Sequence, residues 1–228
     1  MKKSQSIAET LRLGLAAHQR GKLAEAERFY SAVLERKRED FDSLHLLGLV
    51  RWQQGRYQEA LALITRAIRA KPGSAEARSN LGLVLHALNR NAEAVAAYDR
   101  ALAIRPGYGQ ALYGRGNALA ALERYEEALA SYDQALLAAP AYVEVLINRG
   151  VVLRKLDRHG EALAAFDKAL ESQPDKVEII YNRANALQAF GRHEEAVAPC
   201  ANAAHVHEPE EVWQGRGPAA YRTPPIPV

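Results

Sequence analysis

Apolar positions along the chain recur with helical spacing. Leu81, Leu85 and Leu88 share one face of a stretch, and Val95, Tyr98 and Leu102 share one face of the next, so both read as amphipathic helices. A short polar turn, Asn89-Arg90-Asn91, separates them. Glycine stands at the corresponding place elsewhere, at Gly21, Gly55 and Gly191, where it suits a left-handed exit from a helix. No stretch carries strand patterning, and the chain reads as all-α.

The two-helix pattern returns every 34 residues without insertion, giving six units: 7–40, 41–74, 75–108, 109–142, 143–176 and 177–210. Place 8 holds Gly14, Gly48, Gly82, Gly116, Gly150 and Ala184, and place 20 holds Ala26, Ala60, Ala94, Ala128, Ala162 and Ala196. Small residues there let two helix axes approach at the short end of the usual range of about 8–10 Å. Place 24 supplies a bulky plug beside that crossing, at Tyr30, Ile64, Tyr98, Tyr132 and Phe166, and Ala67, Ala101, Ala135 and Ala169 accept a neighbour one turn later. Pro72, Pro106, Pro140 and Pro174 close four units, because proline cannot continue a helix.

Charges follow the same period. Lys22, Arg56, Arg90, Arg124, Arg158 and Arg192 fall just past the first helix, where a cation meets the negative end of the dipole. Glu25, Glu59, Glu93, Glu127, Glu161 and Glu195 fall in the first turn of the second, where an anion is favoured. These recurrent charges belong to the architecture and not to catalysis.

Composition narrows the function classes. The 228 residues are 48% hydrophobic, enough for a buried core, and 30 Lys plus Arg against 27 Asp plus Glu leave a dispersed charge of +3. That balance lacks the clustered basic footprint of nucleic-acid binding. A lone Cys200 rules out an internal disulfide framework and a cysteine-built zinc site, and fits a reducing compartment. Lys2 and Lys3 could open a leader, but Glu9 and Arg12 interrupt the apolar run that should follow. No segment approaches the roughly 20 apolar residues of a membrane span. The expectation is a cytoplasmic protein without membrane association.

A 34-residue helix-turn-helix unit with small residues at places 8, 20 and 27, an aromatic at 24 and proline at 32 resembles the tetratricopeptide repeat. The match is best over 80–106 and 114–140. The resemblance implies an α-α superhelix, a solenoid of antiparallel helix pairs coiled right-handed, whose first helices line a concave groove. Both ends depart from the pattern. Unit one has Arg38 at the proline place and Val33 at an alanine place, as a capping repeat would. Unit six has Pro199 inside its second helix, Cys200 at the aromatic place and Glu208 at the proline place. Residues 1–6 form a lead. The Pro/Gly-rich segment 211–228 has no helical pattern and reads as a disordered tail, with Trp213 and Tyr221 available to dock on the solenoid end.

In the resembled family, groove-facing side chains come from places 2, 5, 6, 9, 12 and 13 of the first helix. Here place 6 gives Asn80, Asn148 and Asn182, interrupted by Gly114, and place 9 adds Asn117 and Asn185. An amide both donates and accepts, so it can grip an extended peptide backbone without demanding a particular side chain. Trp52, Tyr113 and Tyr181, at places 12 and 5, offer rigid aromatic contact area. The chain is thus expected to be a non-enzymatic interaction scaffold that binds a protein or peptide partner and needs no cofactor.

The partial asparagine ladder is similar to that lining the repeat domain of protein O-GlcNAc transferases. This implies an alternative, the substrate-recognition portion of a truncated or split glycosyltransferase. The chaperone carboxylate clamp of other family members is rejected: Tyr113, Asn117, Asn148, Glu178 and Asn182 keep its asparagines and none of its cations. His18, His45 and His86 also occupy groove places, but lie in different repeats, too far apart for a metal. His159 and His193 sit in turns, and His205 and His207 near a frayed end. No phosphate loop, HExxH or nucleophile elbow occurs, and Gly114 and Gly116 follow no strand and lack a third glycine. Exposed solenoid ends leave self-association open.

Overall fold

The computed structural model describes residues 6–192 together with Glu195. Among them are eleven helices: α1 Ile7–Gln19, α2 Leu23–Arg36, α3 Phe41–Gln53, α4 Tyr57–Ala70, α5 Ala75–Ala87, α6 Asn91–Ile104, α7 Gly109–Ala121, α8 Tyr125–Ala138, α9 Val143–Lys155, α10 His159–Ser172 and α11 Val177–Ala189. Every first helix starts 34 residues after the one before, and so does every second helix. Pro199, Cys200, Glu208, the 211–228 tail, Lys2, Lys3, His193, His205 and His207 lie outside the described residues.

Local chemistry sets the helix ends. Ser6, Asp40 and Ser74 cap α1, α3 and α5 by accepting the amides of Glu9, Ser43 and Ala77 at 3.1, 3.0 and 3.1 Å. Pro72, Pro106, Pro140 and Pro174 each stand two residues beyond the end of a second helix. The turn between the helices takes a positive φ at its glycines, 73° at Gly21, 75° at Gly55 and 78° at Gly191. The other three repeats reach the same geometry with Asn89, Glu123 and Asp157, at 58°, 58° and 56°. Asparagine and aspartate tolerate this region through local hydrogen bonding; glutamate does so less readily.

The small residues of place 8 are holes filled by place 24 of their own repeat. A Cβ built on Gly14 would lie 2.7 Å from the Tyr30 ring, on Gly48 2.6 Å from Ile64, on Gly82 2.7 Å from Tyr98, and on Gly150 2.5 Å from Phe166. On Gly116 it would overlap the Tyr132 ring. These plugs are fully buried or nearly so, and they form the centre of each hairpin's core. Gly114 performs a second such service: the Tyr98 ring and hydroxyl of the preceding repeat occupy the space its side chain would need. That contact explains why the asparagine run at place 6 is broken there.

The periodic charges meet one another as well as the helix ends. Arg56, Arg90, Arg124 and Arg158 each make a two-pronged contact, at 2.7–2.8 Å, with the glutamate three residues on, and Arg192 does so with Glu195 at 2.6 Å. Lys22 stands 3.5 Å from Glu25. The arginine hydrogen bond holds the carboxyls of Glu59, Glu93, Glu127 and Glu161 below their ordinary pKa.

Repeats stack through both layers, but unequally. Each second helix packs on the following first helix, and α3 touches α5, α5 touches α7, α7 touches α9, and α9 touches α11. Among the described residues the second helices make no comparable contact with one another. A pile whose first-helix layer is closer-set than its second-helix layer must curve, with the first helices inside. The result is an all-α superhelical solenoid whose concave wall is built from α1, α3, α5, α7, α9 and α11.

Candidate peptide-binding groove

The concave wall carries its own hydrogen-bond ladder. Place 5 of one first helix meets place 6 of the next, 35 residues on: Asn80 Nδ2 lies 2.7 Å from His45 Nε2, and Asn148 Nδ2 donates to Tyr113 Oη at 3.2 Å. Asn148 Nδ2 also donates to Asn117 Oδ1 at 2.8 Å, and the same oxygen accepts the buried Tyr132 hydroxyl at 2.7 Å. A chain of contacts thus runs from the core plug of repeat four, through Asn117, to the wall at Asn148. Tyr113 closes the cluster, its ring centroid 5.5 Å from Tyr142 and 6.4 Å from Tyr132.

The eight candidate residues therefore fall into separate groups. Tyr113, Asn117 and Asn148 are brought together, the first two buried and the third half-buried. Asn80 pairs with His45 one boundary earlier. Trp52 is half-buried and packs on the small cluster of Ala60, Ile64 and Val84. Tyr181, Asn182 and Asn185 stand on α11, with Tyr181 52% exposed and both asparagines half-buried. Both hydrogen bonds of Asn148 use Nδ2, and among the described residues its amide oxygen has no partner. That oxygen is an acceptor held in place by its own donor end.

Sequence reasoning placed His45 on the wall and Tyr132 in the core without their partners, and missed Gln53 and Tyr142. His45, Gln53, Tyr132 and Tyr142 complete the ladder, and His18 Nε2 lies 2.8 Å from Gln53 Oε1 across the first boundary. On the other side of the first helices, Arg115 pairs with Asp99 at 2.7 Å, Arg149 with Asp133 at 2.7 Å and Arg183 with Asp167 at 2.6 Å. These bridges join repeat three to four, four to five and five to six. Both members recur at fixed places, so a search for paired places in consecutive units would have found them. Among the described residues no group of three or more His, Cys, Asp or Glu could hold a metal, and no helix is long and apolar enough to cross a membrane.

His18 and His45 are structural, His18 Nε2 in contact with Gln53 and His45 Nε2 with Asn80. Burial lowers the pKa of both His18 and His45 from the ordinary histidine value, with Lys71 adding to the effect at His45 and Glu76 and Asp42 opposing it. An unfolded chain then binds these protons more readily, so stability falls as pH drops below about 6.5. The Tm measured by circular dichroism is expected to fall between pH 7.5 and 5.5. A His18→Gln, His45→Gln double variant should flatten that slope.

Comparison with known proteins agrees with this construction. A tetratricopeptide repeat family model matches residues 45–109, 113–177 and 147–205, and a second one matches 6–72. No curated protein sequence matches the chain. Among solved structures, PilW, a widely conserved type IV pilus biogenesis factor, superposes with a TM-score of 0.81 at 20% identity over 90% of this chain and 96% of its own. A tetratricopeptide repeat protein from Parabacteroides merdae gives 0.73 at 22% identity, covering 90% and 82%. YrrB, a tetratricopeptide repeat protein with an unusual peptide-binding site, gives 0.62 at 23% identity, covering 77% and 90%. At these identities the likeness concerns the fold. With family models matching most of its length and the repeat geometry complete in each described hairpin, the chain belongs to the tetratricopeptide repeat family.

Proposed function

We propose that this protein is an interaction scaffold that holds an extended peptide segment of a partner protein on the concave wall, centred on Tyr113, Asn117 and Asn148 and continuing to Tyr181, Asn182 and Asn185. The observation that carries this reading is the Asn148 amide, fixed through Nδ2 by Tyr113 and Asn117 and left with its oxygen free for a peptide N–H. Preorganised acceptors cost little to use, since no rotamer has to be frozen on binding. Tyr181, one repeat further and half-exposed, supplies aromatic area of the kind that anchors interfaces. In the first three repeats Leu15, Leu49 and Leu83 at place 9 are half-buried, so apolar side chains of the same segment find contacts there. Trp52 and Asn80 serve mainly to hold the wall.

The glycosyltransferase alternative rests on the asparagine ladder alone. Here Asn80 and Asn148 spend their donor ends on His45, Tyr113 and Asn117, which leaves half of the bidentate grip that reading requires. The scaffold reading is the better supported.

Peptides selected from a random displayed library against the folded chain provide the test. Asn148→Ala combined with Tyr181→Ala should weaken the best binder by about 10- to 100-fold in a calorimetric titration. Unchanged affinity would reject the groove.

A further inference from the structure

The wall of repeat five carries a feature that neither the repeat architecture nor the asparagine ladder uses. Arg154 and Lys155 occupy places 12 and 13 at the end of α9, where the equivalent residues are His18 and Gln19, Trp52 and Gln53, His86 and Ala87, Ala120 and Ala121, and Gln188 and Ala189. A basic last turn is favoured by the helix dipole, which accounts for the charge. It does not account for the environment of Arg154. The guanidinium Nε is buried and has no hydrogen-bond partner among the described residues. Buried donors are nearly always satisfied, and one left without an acceptor is costly.

At place 12 of two other repeats the side chain has a partner within the fold, although His18 Nδ1 is likewise buried without one. His18 contacts Gln53 at 2.8 Å and His86 contacts Asn91 at 2.6 Å. The nearest carboxylate in sequence, Asp157, lies 3.7 Å from His159 Nε2. The other cation at a described groove place, Arg12, is paired with Glu9 at 2.7 Å. Arg154 and Lys155 are therefore the groove cations that no described carboxylate neutralises. Lys155 lies on the same face of α9 as Asn148, seven residues on, and so about 10 Å along the helix axis. An acidic side chain projecting from a backbone held at Asn148 spans that interval once the lengths of the Arg154 and Lys155 side chains are added.

We infer that Arg154 and Lys155 form an anion subsite of the groove that selects a carboxylate on the bound peptide. The inference rests on the groove reading and adds partner chemistry to it: the segment carries an Asp or Glu in fixed register with the backbone N–H taken by Asn148. The two terminal nitrogens of Arg154, which unlike Nε are not enclosed, offer the planar fork that a carboxylate matches with two hydrogen bonds, and the exposed lysine adds charge at the rim. Neither residue occupies a place of the carboxylate clamp, whose cations this chain lacks.

The probe is a fluorescent peptide from the library selection, in four forms: as selected, with its acidic residue replaced by the amide, with an amidated C-terminus, and with both changes. Replacing the side-chain acid by its amide should cost at least about tenfold in affinity, and amidating the C-terminus should cost nothing. Loss on C-terminal amidation alone would overturn the side-chain assignment. Arg154→Gln with Lys155→Gln should cost the acidic peptide the same factor, bind acid and amide forms equally, and flatten the salt dependence. Lys155→Glu, a surface change that leaves the Arg154 guanidinium in place, should also weaken the acidic form.

If Asn148→Ala with Tyr181→Ala abolishes binding while the Arg154 and Lys155 variants bind acid and amide peptides as the parent does, the subsite is wrong and the groove stands. If neither set has an effect, or the selection yields no binder, both readings fail.

Discussion

Tyr132→Ala is expected to destabilise the protein by about 3–5 kcal/mol, the range for deleting a fully buried aromatic. The ring is 1% exposed, fills the space opposite Gly116, and sits at the centre of the largest core cluster. The reverse change tests the same fit. Gly116→Ala gains about 1 kcal/mol of helix propensity, but its methyl carbon would stand 2.6 Å from Tyr132 Cδ1. Overpacking of that kind costs about 1–3 kcal/mol, so clash outweighs propensity and the single variant loses stability. In a Tyr132→Leu background the ring is gone and the propensity gain should dominate, so Gly116→Ala becomes neutral or stabilising. Urea unfolding of the four proteins yields the coupling energy. Additivity would mean that hole and plug are independent.

The second large effect belongs to the wall. Asn117→Ala removes the acceptor shared by Tyr132 Oη and Asn148 Nδ2, and Asn117 is itself 9% exposed. The loss of two hydrogen bonds, one of them buried, is expected to cost about 2–3 kcal/mol of stability. Tyr132→Phe removes one of those bonds while keeping the ring, and should cost about 1 kcal/mol. The two changes are coupled through one oxygen, so the double variant should lose less than the sum of the singles. Peptide affinity should also fall in Asn117→Ala, because Asn148 loses one of the two groups that orient it. It should be retained in Tyr132→Phe.

Much of this architecture is legible in the residues because a repeat presents one environment several times over. A glycine at place 8 means little once; five, each with a bulky partner sixteen residues later, define a contact. The helix boundaries follow for the same reason. Gly114 shows where periodic reading stops, since its smallness answers to Tyr98 of another repeat and not to its own hairpin.

The groove was legible as a set of places and illegible as a set of contacts. Tyr113, Asn117 and Asn148 are identified by position, yet whether they face a ligand or one another depends on rotamers that a pattern does not carry. The structure turns the Asn148 nitrogen inward and leaves its oxygen. The cross-repeat bridges Asp99–Arg115, Asp133–Arg149 and Asp167–Arg183 went unread for a related reason: reading within a unit cannot pair residues that belong to two. The turn residues Asn89, Glu123 and Asp157 adopt a left-handed conformation that only their alignment with Gly21, Gly55 and Gly191 foretells.

The claim on which the functional account turns is that the inner layer of first helices, not the outer layer of second helices, meets the partner. A photo-crosslinking amino acid placed at Tyr181 on α11, or at Leu137 on α8 where the side chain is 84% exposed, reads this directly with a library-selected peptide. Efficient capture from position 181 and none from 137 is the result the account predicts. Capture from 137 with none from 181 would contradict it.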